Sequence, residues 1–130
     1  MEVLDQHVQL RQEMHAFYVD LFKDINTVTV YIIPNEDYFA NYWLTTILIH
    51  PNAANGITIE DIRLALEKEN IESRPLWKPM HLQPIFAKFP YYGNKVSETL
   101  FKNGLCLPSG SNMTDEERER IRKVVEKIFK

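Results

Sequence analysis

Ser73 to Pro84, SRPLWKPMHLQP, concentrates more chemical functionality than any other stretch of the chain. Within these twelve residues lie two cations, Arg74 and Lys78, the indole of Trp77, the thioether of Met80 and the imidazole of His81. An arginine can grip an anion through two parallel hydrogen bonds, and a lysine can hold one as a point charge. An indole can cover the face of a ring, and an imidazole exchanges a proton near neutral pH. Together these side chains suit a ligand that carries both a phosphate and a flat or sugar ring. Prolines at 75, 79 and 84 fix φ, remove backbone donors and push the preceding residues toward extended conformations. The sequence therefore predicts a stiff, extended loop without regular helix, the kind of wall a binding cleft requires. A plainer reading of the same residues stays open: a connector whose Trp77 and Met80 plug the core.

Other constellations carry less. Glycines 56, 93, 104 and 110 stand singly, so there is no glycine-rich phosphate loop. No cysteine and histidine cluster has structural-zinc spacing. His7 and His15 lie eight residues apart on one helix, too far for a shared metal, and both read as solvated. His50, ahead of Pro51, reads as a turn residue. A Cys106–His81 nucleophile pair is conceivable. Yet Cys106 sits in the apolar run LCLP, where a buried, inert thiol is commoner. Glu116 and Glu117 are explained by a helix start, and DEERERIRK by a solvated helical face. Ser109 to Asn112 could form an anion nest before the last helix, although a turn with an N-cap explains it more simply.

The loop must be positioned by the elements around it, and the apolar pattern defines them. Val3 to Phe22 has neither proline nor glycine, and Leu10, Met14, Phe17, Tyr18 and Leu21 recur at helical spacing. Thr27 to Ile33 is rich in β-branched residues and reads as a strand. Pro34 to Asp37 has turn composition. Tyr42 to Ile49, YWLTTILI, predicts a strand ended at His50-Pro51. Its near-continuous apolarity predicts burial on both faces at the centre of a sheet. Asn52 to Gly56 reads as a loop. Thr58 caps a helix to about Lys68, with Asp61 completing a variant capping box and Ile59, Ile62 and Leu66 facing inward. Ile71 to Arg74 predicts a short strand running into the proline loop. Beyond it, IFAKFPYYGN predicts a loop with a short helical turn, and Val96 to Asn103 a helix stopped by Gly104. Leu105 to Pro108 predicts a third strand. Thr114 and Glu117 make a capping box for a last helix to about Phe129, with Ile121, Val124, Val125, Ile128 and Phe129 inward. About three strands with several helices predict an α+β fold, helices packed on one face of a small antiparallel sheet.

Composition bounds the function class. The chain has 130 residues, 45% of them hydrophobic and 25% charged, enough for one domain with a real core. A net charge of −3 argues against a dedicated nucleic-acid surface, which needs a concentrated basic face. The single cysteine, Cys106, cannot form an internal disulfide, and no apolar run approaches a bilayer span. With no signal-peptide pattern, a cytoplasmic protein without membrane or nucleic-acid partners is expected.

Two segments, ESRPLWKPMHLQPIF and GLCLPSGSNMTDEERERI, also resemble the C-terminal part of the DegT/DnrJ/EryC1/StrS family. Members of that family are pyridoxal-phosphate-dependent aminotransferases acting on nucleotide-linked keto-sugars. The resemblance runs from about Leu4 to the C-terminus. It includes the helix VLDQHVQLRQEMHAFYVDLFKDI, the strand NYWLTTILI and the helix TIEDIRLALEKENIESRP. Two long motifs in the right order and spacing make it specific.

The resemblance implies that residues 1–130 form the small C-terminal domain of a fold-type I aminotransferase, with the N-terminal cofactor-binding domain absent. It implies amino transfer from a donor such as glutamate to a nucleotide-linked keto-sugar in the full-length enzyme, with pyridoxal phosphate as cofactor. It also implies a place for Arg74, Trp77, Lys78, Met80 and His81 on the substrate side of an interdomain cleft. No catalytic, cofactor-binding or metal-binding residue is expected in this chain, because the family's Schiff-base lysine segment has no counterpart here. No cofactor is expected bound to the fragment, and activity is not expected of it alone. A domain cut from a larger partner should expose apolar surface, so self-association is expected. From a different class, a stand-alone module that binds an anionic nucleotide-sugar or mediates a protein interaction would use the same loop.

Overall fold

Reciprocal caps decide where two of the helices begin. In the computed structural model, which describes residues 2–50 and 56–129, the Thr58 hydroxyl accepts the Asp61 N–H while the Asp61 carboxylate accepts the Thr58 N–H at 2.8 Å. Thr114 and Glu117 repeat the device with the same 2.8 Å return bond. Each pair satisfies two amide groups that a helix start would otherwise leave unbonded. Helix α2 then runs from Ile59 to Lys68 and helix α4 from Asp115 to Phe129. Helix α1 spans Leu4–Phe22, and helix α3 spans Val96–Asn103, entered through Lys95 at φ +62.

Four strands make one antiparallel sheet: β1 (Val28–Val30), β2 (Thr45–Ile49), β3 (Arg74–Pro75) and β4 (Gly104–Leu107), in the order β1-β2-β4-β3. Thr45 pairs with Leu107, Ile47 with Leu105, and Val28 with Ile49. Directly paired residues share a face, so these six side chains line one side of the sheet. Helices α1, α2 and α4 cover that side through Met14, Tyr18, Ile62, Leu66, Ile121 and Val125, all essentially inaccessible to solvent. Burying each such side chain stabilises the fold by about 1.5–3 kcal/mol before its ordering entropy is counted.

The α+β reading holds, with refinements. A fourth strand, β1, forms within Thr27–Ile33 but pairs only over three residues; Tyr31 and Ile32 beyond it are exposed. β2 is central as expected, yet only alternate residues are fully buried, and Thr46 and Leu48 on the second face are half-covered. It also starts at Thr45, because Tyr42 takes a positive φ of +45 and breaks the extended run. The expected loop from Asn52 lies outside the described residues as far as Asn55.

How α2 ends determines where the proline loop starts. Asn70 takes a left-handed φ of +56, its N–H bonds Glu67 O at 2.9 Å, and the Ile71 N–H bonds Leu66 O at 3.0 Å. This six-to-one closure drops Ile71 onto Leu66 in the core and turns the chain toward the sheet edge. Strand β3 consequently forms at Arg74–Pro75, opposite Cys106 and Leu105, rather than at Ile71–Arg74. The chain before Pro75 is already biased to extended backbone, which suits an edge strand.

A cleft at the sheet edge and a clamped histidine

Because Arg74 pairs with Cys106, both side chains lie on the sheet face turned away from the core helices. There they line a cleft of about 440 Å³ together with Trp43, Pro75, Trp77 and Pro108. Trp43 and Trp77 are 61% and 69% exposed, so both indoles offer free ring surface. The Arg74 guanidinium donates to the Glu72 carboxylate at 2.7 Å, and both groups are largely solvated. Such a pair adds little stability and can open to another anion. Burial pushes the Cys106 thiol above its ordinary range, keeping it a neutral part of the cleft wall. That is the opposite of an activated nucleophile, and His81 is not among the residues lining its cleft.

Only two of the five residues singled out from sequence therefore share this cleft, Arg74 and Trp77. Lys78 is exposed, and its carbonyl accepts a bond from the Gln83 amide at 3.4 Å. Met80 and His81 fall in a short 3-10 turn, Met80–Leu82, followed by a second at Pro84–Phe86, so the loop is less extended than its prolines imply. Pro79 and Pro84 sit at or before the first position of each turn, where a missing N–H costs nothing. Met80 remains 64% exposed.

His81 enters a separate cluster. Its ring stacks on Tyr91 with centroids 3.7 Å apart, and its Nε2 lies 3.1 Å from a Glu98 carboxylate oxygen. The carboxylate can only accept, so Nε2 carries the proton and Nδ1 is left as acceptor in the neutral ring. Tyr91 sits on the aromatic loop and Glu98 near the start of α3. No spacing in the sequence links either to His81.

A buried histidine corrects the sequence reading. His15 is 5% exposed, not solvated; its ring stacks on Tyr42 with centroids 3.6 Å apart and lies 3.4 Å from the Thr45 hydroxyl. The positive φ at Tyr42 delivers that ring, and burial holds the His15 pKa below its ordinary value. His7 is exposed and bonds the Ser111 hydroxyl at 2.8 Å, while His50 bonds the Thr29 hydroxyl across the β1–β2 pair at the same distance. The Ser109 hydroxyl is spent on the backbone, accepting the Thr45 N–H at 2.8 Å and donating to Leu107 O at 2.9 Å. With Ser109 and Ser111 both engaged, neither hydroxyl of the Ser109–Asn112 segment is open to an anion. Among the described residues no group of three or more His, Cys, Asp or Glu could hold a metal ion, and no helix is long and apolar enough to cross a membrane.

Known proteins share this fold. Residues 1–128 match the DegT/DnrJ/EryC1/StrS aminotransferase family. The chain is 39% identical over 133 aligned residues to EpsN of Bacillus subtilis, a protein named as a pyridoxal phosphate-dependent aminotransferase, covering 99% of this chain and 33% of that one. It is 26% identical over 117 residues to GDP-perosamine synthase of Escherichia coli O157:H7, covering 90% of this chain and 30% of the synthase. Among solved structures, the aminotransferase TlmJ of Streptoalloteichus hindustanus superposes with a TM-score of 0.82 at 15% identity, over 98% of this chain and 33% of TlmJ. That likeness shows the fold alone. The chain thus spans about a third of the length of the curated relatives it matches. With the family's pattern met over nearly all of its length, the chain belongs to the DegT/DnrJ/EryC1/StrS aminotransferase family.

Proposed function

We propose that this chain works as the small domain of a pyridoxal-phosphate-dependent sugar aminotransferase. The full-length enzyme transfers an amino group from a donor such as glutamate to a nucleotide-linked keto-sugar. The span of the match carries this reading: almost all of the chain aligns with only a third of each relative, one of which is named for a nucleotide-linked sugar.

The described residues do not fit the cofactor itself. Pyridoxal phosphate needs a lysine within reach, a carboxylate at its ring nitrogen and donors for its phosphate. The cleft at the sheet edge has no lysine in its wall, and the Ser109 hydroxyl is committed to the backbone. Cofactor chemistry is therefore assigned to the part of the enzyme outside this chain. On this side of the cleft, Arg74 and Lys78 hold the anionic portion of the substrate, and Trp77 and Met80 cover a ring. His81, held by Tyr91 and Glu98, presents Nδ1 to a substrate hydroxyl. Exposed Tyr31, Ile32, Tyr38 and Phe39 offer surface for a homo-oligomer, and a cytoplasmic setting suits the free thiol.

A graft tests this. The chain replaces the matching segment of Escherichia coli GDP-perosamine synthase, and GDP-perosamine formation is followed. A cofactor-loaded chimera that forms product, and loses at least about tenfold in kcat/KM on Arg74→Ala or His81→Ala, supports the assignment. A folded, loaded chimera indifferent to both substitutions refutes it.

A further inference from the structure

Helix α3 departs from a rule that the molecule follows twice elsewhere. In α2 and α4 the acid at the third helical position, Asp61 or Glu117, accepts the backbone N–H of its own cap residue. Glu98 holds the same third position in α3, yet its carboxylate turns away to His81 Nε2 at 3.1 Å, across 17 positions of sequence. The cap residue there, Lys95, makes no side-chain cap bond and takes a left-handed φ of +62. Both features disfavour a helix start: an uncapped terminus leaves amides unbonded, and a non-glycine residue at positive φ is strained. Strain tolerated beside an oriented titratable side chain points to a functional demand on that side chain. The rest of the arrangement is equally specific. Tyr91 stacks on the same ring with centroids 3.7 Å apart and planes 17° from parallel, so face and edge of the imidazole are both held. Nδ1 has no partner among the described residues and is not sealed in, in a side chain that keeps 18% of its surface accessible.

We propose that Glu98 and Tyr91 are positioning residues for His81. Glu98 keeps the proton of the neutral ring on Nε2, Tyr91 fixes the ring plane, and Nδ1 is thereby the one ring atom free to accept a hydrogen bond or take up a proton. A carboxylate cannot donate, so the opposite tautomer would set two lone pairs against each other. A bond to one ring nitrogen that assigns the role of the other is a recurrent use of histidine. The clamp also defines what His81 recognises. Nδ1 of the neutral ring requires a donor, so its ligand presents a hydroxyl or N–H rather than a phosphate or carboxylate oxygen. The identity of that donor as a substrate hydroxyl rests on the aminotransferase reading; the tautomer and the ring plane rest on the clamp alone.

Two readouts test the clamp, one on the 130-residue chain and one on the graft. Ring-nitrogen NMR spectra of the isotope-labelled chain, taken at about pH 9 where an ordinary imidazole is neutral, distinguish the two tautomers of each histidine. Among the four histidines, the His81 signals are those lost in His81→Ala. His81 is expected in the Nε2–H form alone. Glu98→Ala should let the second tautomer appear at about a tenth of the population or more, as should Glu98→Gln, whose amide can donate as well as accept. A ring already mixed between tautomers, or one unmoved by either substitution, overturns the proposal. In the chimera, Glu98→Ala should lower kcat/KM roughly 3- to 10-fold, but by less than about 1.5-fold where His81 is already alanine. If Glu98 merely fastened the loop, the loss would be equal in both backgrounds, and that result overturns the proposal. Tyr91→Phe, which keeps the ring face, should recover most of the activity that Tyr91→Ala loses; equal losses overturn the part given to Tyr91. An inert chimera counts against the aminotransferase assignment, and the ring spectra then decide the clamp without it. A mixed tautomer in an active chimera removes the clamp and leaves that assignment standing.

Discussion

Ser109→Ala probes how the head of the central strand is held. Ser109 and Thr45 are both buried, and the serine hydroxyl bridges them by accepting the Thr45 N–H at 2.8 Å and donating to Leu107 O at 2.9 Å. Alanine removes a single oxygen and leaves almost no cavity, so the effect is confined to hydrogen bonding. A buried amide left without an acceptor costs about 1–3 kcal/mol, and the lost bond to Leu107 about 1 kcal/mol more. A total of roughly 2–4 kcal/mol is a large part of the ~5–15 kcal/mol available to a domain. In urea, with a slope near ~2 kcal/mol per molar, the midpoint should fall by about 1–2 M at unchanged slope. Ser111→Ala is the comparison, because among the described residues that hydroxyl bonds the exposed His7 and its loss should stay within about 0.5 kcal/mol. Equal midpoints for the two variants would refute the assignment of Ser109 as the tie between β2 and the end of β4.

Two further expectations follow from packing and burial. A Cβ on Gly104 would overlap Leu76 Cδ1 and come within 2.6 Å of Leu100 O; since its φ of −107 is ordinary, Gly104→Ala tests overlap alone. It should cost about 1–3 kcal/mol and lower the melting temperature by several degrees, and an unchanged melt would mean that α3 gives way freely. For His15, burial lowers the folded-state pKa below 6.5, so the unfolded chain takes up the proton first as pH falls through that value. Stability should therefore decline below about pH 6.5 until the folded-state pKa is passed, and His15→Phe, which keeps a ring against Tyr42, should flatten that decline. Parallel pH profiles for the two proteins, read by urea unfolding, would count against the burial argument.

The elements defined by chemistry close at hand were legible in the sequence. Thr58 with Asp61 and Thr114 with Glu117 fixed two helix starts, because a cap and its partner lie three residues apart. The core face of β2 followed from β-branched residues, but the half-covered state of Thr46 and Leu48 depends on what packs over the second face, which no local pattern encodes. Strand β3 moved to Arg74–Pro75 because the turn at Asn70 sends Ile71 inward, and that turn needs a left-handed asparagine the apolar pattern does not reveal. The sequence does carry a signal for His15: it lies three residues before Tyr18 and seven before Phe22, on the same helical stripe. The ring that covers it, Tyr42, comes from a distant turn. For the candidate site, residue types pointed to the loop, whereas the partition of its side chains into an indole cleft and a clamped histidine depends on Trp43, Tyr91 and Glu98 in other segments.

The strand order β1-β2-β4-β3 has a consequence for the birth of the molecule on the ribosome. β2 must present one edge unpaired until Leu107 has emerged, since its partner β4 is encoded far downstream. Pairings between distant segments are slow to form and leave strands open to other chains meanwhile. Even then Ile47, Leu105 and Leu107 keep part of their face bare, because α4 supplies Ile121, Val124 and Val125 last. The segment that closes the core is thus the last of the described elements to emerge, and a chain interrupted within α4 leaves uncovered the sheet face most prone to aggregate.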